Sequence, residues 1–255
     1  MSVMIGHASK DEHGKYSGGK AGDQTGQEVC SRSWYNRPWN VVCRCTYPKM
    51  REKIAYAMKA AANNINIGYS QGSRNSLLTY ARGVGYDPAR VTTPCNTDCS
   101  ALVSLCCMYA GIPESALYKG GNSSTTGNLR SRLKATGKFE ILTGKEYVSK
   151  PDNLVVGDIL IYEGHHTAVV VQTDPKTEKT ATVEPAAAPT EVLKKGSSGS
   201  GVLWLQKKLN KLGYVLEEDG IFGMKTLAAV QDFQRKSGLL CDGKVGQMTV
   251  QFLMK

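Results

Sequence analysis

The sequence predicts an α+β domain followed by a small three-helix module. Two stretches, 50–63 and 99–110, are apolar with helical character, the first carrying Ile54, Ala57 and Met58 on one side. Three later segments change period: Phe139-Glu-Ile-Leu142, Asp158-Ile-Leu-Ile-Tyr162 and Thr167-Ala-Val-Val-Val171 are β-branched and aromatic, which favours strands. Helices first and antiparallel strands after is the α+β order. Between 174 and 191 the chain turns to Pro, Ala and scattered charge, a semi-extended linker. The expected organisation is therefore 1–173 as one domain, with 1–45 as an extra N-terminal segment, then the linker, then 192–255.

The elements follow in order. The helix at 50–63 is rich in Ala, and the one at 99–110 is closed by Gly111 with Pro113 just beyond. A third helix is expected at 127–135. In the last segment, helices at 202–212, 226–236 and 249–254 place Leu203, Leu205, Leu209 and Leu212 on one face and Leu227, Val230 and Phe233 on another. Asp219-Gly-Ile-Phe-Gly223-Met-Lys-Thr226 recurs as Asp242-Gly-Lys-Val-Gly246-Gln-Met-Thr249, each an Asp-Gly turn leading into a helix.

Composition narrows the function classes. The 255 residues are 41% hydrophobic and 21% charged, with 32 Lys and Arg against 22 Asp and Glu, a net charge of +10. That excess favours polyanions, nucleic acid and anionic wall polymers alike. No zinc-finger spacing, basic run or aromatic–basic stripe supports nucleic acid. No apolar run reaches the ~20 residues of a membrane span, and the N-terminus lacks the basic start and apolar core of a secretory signal. Eight cysteines do not imply a disulfide framework in a chain of this size without an export signal. Cys106 and Cys107 sit among apolar residues and read as core. A zinc reading built on Cys43, Cys45 and Cys95 lacks paired C-x-x-C hooks; no metal or other cofactor is expected.

One cysteine stands apart. In Asn96-Thr97-Asp98-Cys99-Ser100-Ala101-Leu102-Val103, Thr97 or Asp98 caps a helix and Cys99 falls in its first turn. The helix dipole and unpaired N–H groups there are expected to lower the thiol pKa and to receive an oxyanion. Of four histidines in the chain, His165 and His166 lie together after Gly164, at the start of an apolar strand. A thiol nucleophile needs an imidazole to take and return its proton, and side-chain alternation lets only one of the two face it.

Asp98-Cys99-Ser100-Ala101-Leu102-Val103 with Ala110-Gly-Ile-Pro113, and Gly157-Asp158-Ile-Leu-Ile with His166-Thr-Ala-Val-Val-Val171, resemble the two motifs of NlpC/P60 cysteine peptidases. The pattern is also similar to phage cysteine amidases of the Pal type and, more loosely, to CHAP domains. The resemblance implies a papain-like core, Cys99 as nucleophile and His166 as base. It also implies Tyr69, Asp98, Ser100 and His165 near the substrate. The family places a third polar residue on the strand after the His, where this chain offers Gln172 and Glu184. The unmatched segment 1–45, with His7, the Gly-rich stretch 17–26 and Trp34-Tyr35-Asn36-Arg37-Pro-Trp39, is expected to line the groove, with Asp23 as the orienting carboxylate.

The C-terminal unit resembles the PG_binding_1 peptidoglycan-binding domain through Leu203-Trp-Leu-Gln206, Leu212-Gly-Tyr214, Asp219-Gly-Ile-Phe-Gly223, Phe233-Gln234 and Asp242-Gly-Lys-Val-Gly246. It implies ligand contacts from Tyr214, Asp219 and Asp242. Together the resemblances imply a phage endolysin-like peptidoglycan hydrolase cutting a stem-peptide amide, as a D-glutamyl–diamino acid endopeptidase or an N-acetylmuramoyl-L-alanine amidase. A non-catalytic wall-binding protein is the alternative of another class. Such an enzyme would wait in the host cytoplasm and reach the cell wall through a holin-type pore.

Overall fold

The computed structural model describes residues 3–36, 38–173 and 188–254. The chain divides into two compact units, Met1–Lys179 and Thr180–Lys255. Of the expected linker, 174–187 lies outside the described residues, as does Glu184.

The first unit runs β1 (Met4–Ala8), β2 (Val29–Ser33), β3 (Val41–Cys45), α1 (Pro48–Ala62), β4 (Ile67–Tyr69), α2 (Ser76–Ala81), β5 (Cys95–Thr97) and α3 (Cys99–Tyr109). It continues through α4 (Glu114–Leu117), β6 (Tyr118–Lys119), β7 (Asn122–Ser123), α5 (Leu129–Ala135), β8 (Phe139–Leu142), α6 (Lys145–Val148), β9 (Ile159–Tyr162) and β10 (His166–Gln172). Six strands form one antiparallel sheet in the order β2-β1-β10-β9-β3-β8. The expected order of helices before strands is therefore corrected. Three strands come first; β1 joins the sheet beside β10, and β2 forms the edge beside β1. Gly6 in β1 and the polar Ser31-Arg32-Ser33 of β2 break the β-branched character that marks β9 and β10.

Helices α1 and α3 pack on each other and against β10. Pro48 opens α1, where its missing N–H costs nothing. Helix α3 is buried on every side from Cys99 to Met108, and its two polar side chains, Ser100 and Ser104, are hydrogen-bonded. Cys106 and Cys107 are core residues. Where β1 crosses α1, the Met58 side chain occupies the space a Cβ on Gly6 would need, so only glycine allows that approach. On the other face Val3, Ile5, Trp39, Val42, Leu160, Ala168 and Val170 form a second layer of core. Asp158, fully buried after the Gly157 turn, holds Arg44 through two hydrogen bonds of 2.8 and 2.6 Å.

The second unit contains α7 (Ser200–Lys211), α8 (Met224–Lys236) and α9 (Gln247–Leu253) around Val202, Leu205, Leu209, Phe222, Val230, Phe233, Val250 and Leu253. Leu212 departs from the expected apolar face: α7 ends at Lys211, and Leu212 caps it 56% exposed.

Candidate active site

Asp98 has extended backbone geometry and accepts a 2.7 Å hydrogen bond from the Ala101 N–H, so α3 begins at Cys99. The sulfur therefore sits in the first turn, as the sequence predicts. Its pKa does not follow the prediction. Burial pushes the thiol up to about 12, and neighbouring Asp98 adds to that, against smaller opposing effects of the Thr167 and Ser100 N–H groups and Arg74. Desolvation outweighs the helix dipole, which is worth only ~0.3–1 kcal/mol in exposed settings.

The influence of Thr167 N–H puts the sulfur at the start of β10, next to His166 in the chain. Cys99, His7, Tyr69, His165 and His166 all line one cleft of about 650 Å³. Alternation on β10 puts His166 on the face of Ala168 and Val170, and alternation on β1 puts His7 on the face of Ile5. Because β1 pairs with β10, the two imidazoles meet: His7 Nδ1 lies 2.8 Å from His166 Nε2, both rings buried. They cross edge to face at 5.1 Å, and Trp39 stacks on His166 at 6.1 Å.

The remaining expected residues separate into two groups. Tyr69 is brought to the cleft by β4, which pairs in parallel with β5 just before Cys99. Its hydroxyl accepts from Gln71 Nε2 at 3.3 Å, and burial raises its pKa. His165 is at the cleft too, exposed and stacked on Tyr162 at 4.1 Å. Asp98 and Ser100 are not on its lining. Arg74 claims both, donating from Nε and Nη2 to Asp98 at 2.5 and 3.0 Å and from Nη2 to the Ser100 hydroxyl at 2.8 Å. These two residues hold the start of α3 in place.

Asp23 is engaged locally. Its carboxylate accepts from the N–H groups of Thr25, Gly26 and Val29 within its own loop. The group at His166 Nε2 is His7, which the sequence shows only as one of four histidines. That loop is tied down by Glu28, whose buried carboxylate accepts from the N–H groups of Gln24 and Tyr69, each at 2.8 Å. Among the described residues, no group of three or more His, Cys, Asp or Glu side chains is placed to hold a metal ion.

In the second unit the repeated Asp-Gly turns are built twice on one plan. Gln206 donates to Asp219 at 2.8 Å and accepts from the Gly220 N–H at 2.8 Å; Gln234 donates to Asp242 at 3.0 Å and accepts from the Gly243 N–H at 2.9 Å. Both aspartates close their turns. The Tyr214 hydroxyl donates to Asp232 at 3.0 Å.

A thiol at a helix start and an imidazole pair formed by two neighbouring strands, sharing one cleft, are the groups that nucleophilic acyl transfer requires. Residues 5–177 match the family described as endolysin-like domain, and the chain belongs to that family. Residues 198–253 match PG_binding_1, the peptidoglycan-binding domain family. A spore cortex-lytic enzyme of Bacillus cereus is 42% identical over 66 residues, 26% of this chain and 26% of the relative. The N-acetylmuramoyl-L-alanine amidase CwlL of Bacillus licheniformis is 42% identical over 65 residues, 24% of this chain and 18% of the relative. The chain thus spans about a quarter or less of these curated relatives. Among solved structures, the SleB N-terminal domain is 40% identical, covers 27% of this chain and 94% of its own, and superposes with a TM-score of 0.26.

Proposed function

We propose that the protein is a peptidoglycan hydrolase that cuts a stem-peptide amide with Cys99 as nucleophile, His166 as acid and base, and His7 as the residue that positions His166. The observation that carries this is the His7–His166 hydrogen bond in the cleft that Cys99 shares. With Nε2 of His166 bonded to His7, proton exchange with Cys99 falls to Nδ1. A neutral thiol suits that arrangement: the proton moves to His166 as the sulfur–carbon bond forms. N–H groups at the start of α3 receive the oxyanion. The carbon–nitrogen bond then breaks, His166 protonates the leaving amine, and water, deprotonated by His166, hydrolyses the thioester to free carboxylate and thiol.

The Cys-bearing helix packed on an antiparallel sheet supports a papain-like, NlpC/P60-type reading. This chain departs from it by supplying the third polar residue from β1, ahead of the helix in sequence. The bond cut is the D-glutamyl–diamino acid amide. The name of the Bacillus licheniformis relative favours a second reading, the N-acetylmuramoyl-L-alanine bond. The PG_binding_1 unit holds the enzyme on the wall and raises local substrate concentration. In this reading the protein acts as a phage endolysin, held in the host cytoplasm until a holin-type pore releases it to the cell wall. Among the described residues, no helix is long and apolar enough to cross a membrane.

Mass spectrometry of digested walls tests the assignment. An endopeptidase leaves L-Ala-D-Glu on the glycan, whereas an amidase frees whole stem peptides. Equal clearing of walls by Cys99→Ala and wild type would overturn the thiol mechanism.

A further inference from the structure

The cleft at Cys99 is lined by two full cations, Lys10 and Arg32, and no aspartate or glutamate is among its lining residues. Both cations belong to the first 45 residues: Lys10 follows β1, and Arg32 stands on β2 opposite Ile5. Among the described residues neither forms an ion pair; each rests on an aromatic ring instead. The Arg32 guanidinium carbon lies 4.8 Å from the centre of the Tyr35 ring, and Lys10 Nζ lies 5.6 Å from that of Tyr16. Tyr35 in turn lies 6.4 Å from the His7 ring, so Arg32 is one aromatic ring away from the imidazole pair.

Stacking uses the face of a guanidinium and leaves its in-plane N–H donors for another partner. Both cations are exposed, so water and salt screen each one, but they face the same cleft and their fields add for an anion bound there. A forked donor set suits a carboxylate in particular. A cleft built this way disfavours a substrate that brings an ammonium group and favours one that brings a carboxylate.

We propose that Arg32, assisted by Lys10, reads a free carboxylate beside the scissile amide, so that the enzyme selects stem peptides by the state of that group. The inference rests on the hydrolase reading above and adds its specificity. Two groups of a stem peptide carry this chemistry: the D-glutamyl α-carboxylate, which is free or amidated, and the carboxylate at the peptide's end.

Three synthetic stem peptides separate them, one with both carboxylates free, one amidated at the D-glutamyl α position and one amidated at the C-terminus. Amidation of the group that is read lowers wild-type kcat/KM about tenfold, mostly through KM, as loss of a charge-assisted hydrogen bond would. In Arg32→Gln the ratio between that amidated peptide and the free peptide falls toward one, Lys10→Gln reduces it less, and Arg32→Lys recovers part of it. Equal kcat/KM for all three peptides in the wild type, or full discrimination in Arg32→Gln, overturns the proposal. Calorimetric titration of the same peptides into Cys99→Ser keeps the two readings apart. A protein that hydrolyses none of them yet binds the free peptide through Arg32 loses the hydrolase reading and retains this one. Equal affinity for the three, or no binding, overturns this one.

Discussion

His7 Nδ1 and His166 Nε2 lie 2.8 Å apart although 159 positions separate them in the chain. One nitrogen donates and the other accepts, so the contact couples the tautomers of the two rings and fixes the tilt of His166. His7→Ala is expected to lower kcat on purified walls about 100-fold, the scale of lost acid–base assistance, with circular dichroism unchanged. His7→Asn or His7→Gln, which retain a polar group near that point, should restore part of the rate. An altered pH profile in His7→Ala would mark positioning of His166 and would not follow from a packing defect.

Cys99 is expected to react as a neutral thiol. With its pKa pushed up to about 12 by burial, it is largely protonated throughout the neutral range. The rate of alkylation by iodoacetamide should then climb about tenfold per pH unit from 6 to 9, following the thiolate fraction. A plateau reached below pH 7 would instead reveal a resting thiolate–imidazolium pair.

The Arg74–Asp98 pair is a matter of stability. Asp98→Ala leaves the Arg74 guanidinium buried without its carboxylate and uncaps α3. A loss of about 3–5 kcal/mol in urea unfolding is expected. Tyr69→Phe, which removes a cleft hydroxyl, should leave unfolding nearly unchanged and alter turnover alone.

In the second unit, Gln206→Ala removes the link among Asp219, Ile221 and the Gly220 N–H. Leaving those groups unmet should cost roughly 1–3 kcal/mol, read as a lowered calorimetric transition. If Asp219 instead contacted the wall directly, Gln206→Ala would weaken wall pelleting without moving that transition.

The sequence shows most clearly what is local. A cap at Thr97 or Asp98 and Cys99 in the first helical turn follow from four adjacent residues, and β10 follows from an apolar, β-branched run. The paired turns at Asp219 and Asp242 repeat visibly, but their Gln206 and Gln234 partners lie 13 and 8 residues upstream, and that unequal spacing hides the pairing although both glutamines fall in segments that carry the resemblance. Arg74 was invisible for the same reason, reaching across to Asp98, Ser100, Asn122 and Ser124 from a short turn. His7 had one available signal, its place in the five-residue run Met4-Ile-Gly-His-Ala8. That run is too short, and too interrupted by Gly6, to announce a strand in the middle of a sheet.

The placement of β1 against β10 has a consequence for how the protein comes to be active. As the chain is synthesised, Cys99 and its helix emerge early, but the first strand has no neighbour on its β10 side until residues 166–172 follow. The histidine pair therefore closes at the end of the domain's synthesis, and a partly made chain carries the nucleophile without its working base. A fragment trimmed to 46–173 would keep every residue of the two motifs and still lack the strand that completes them. Any screen that judges activity by those motifs would count such a fragment as an enzyme.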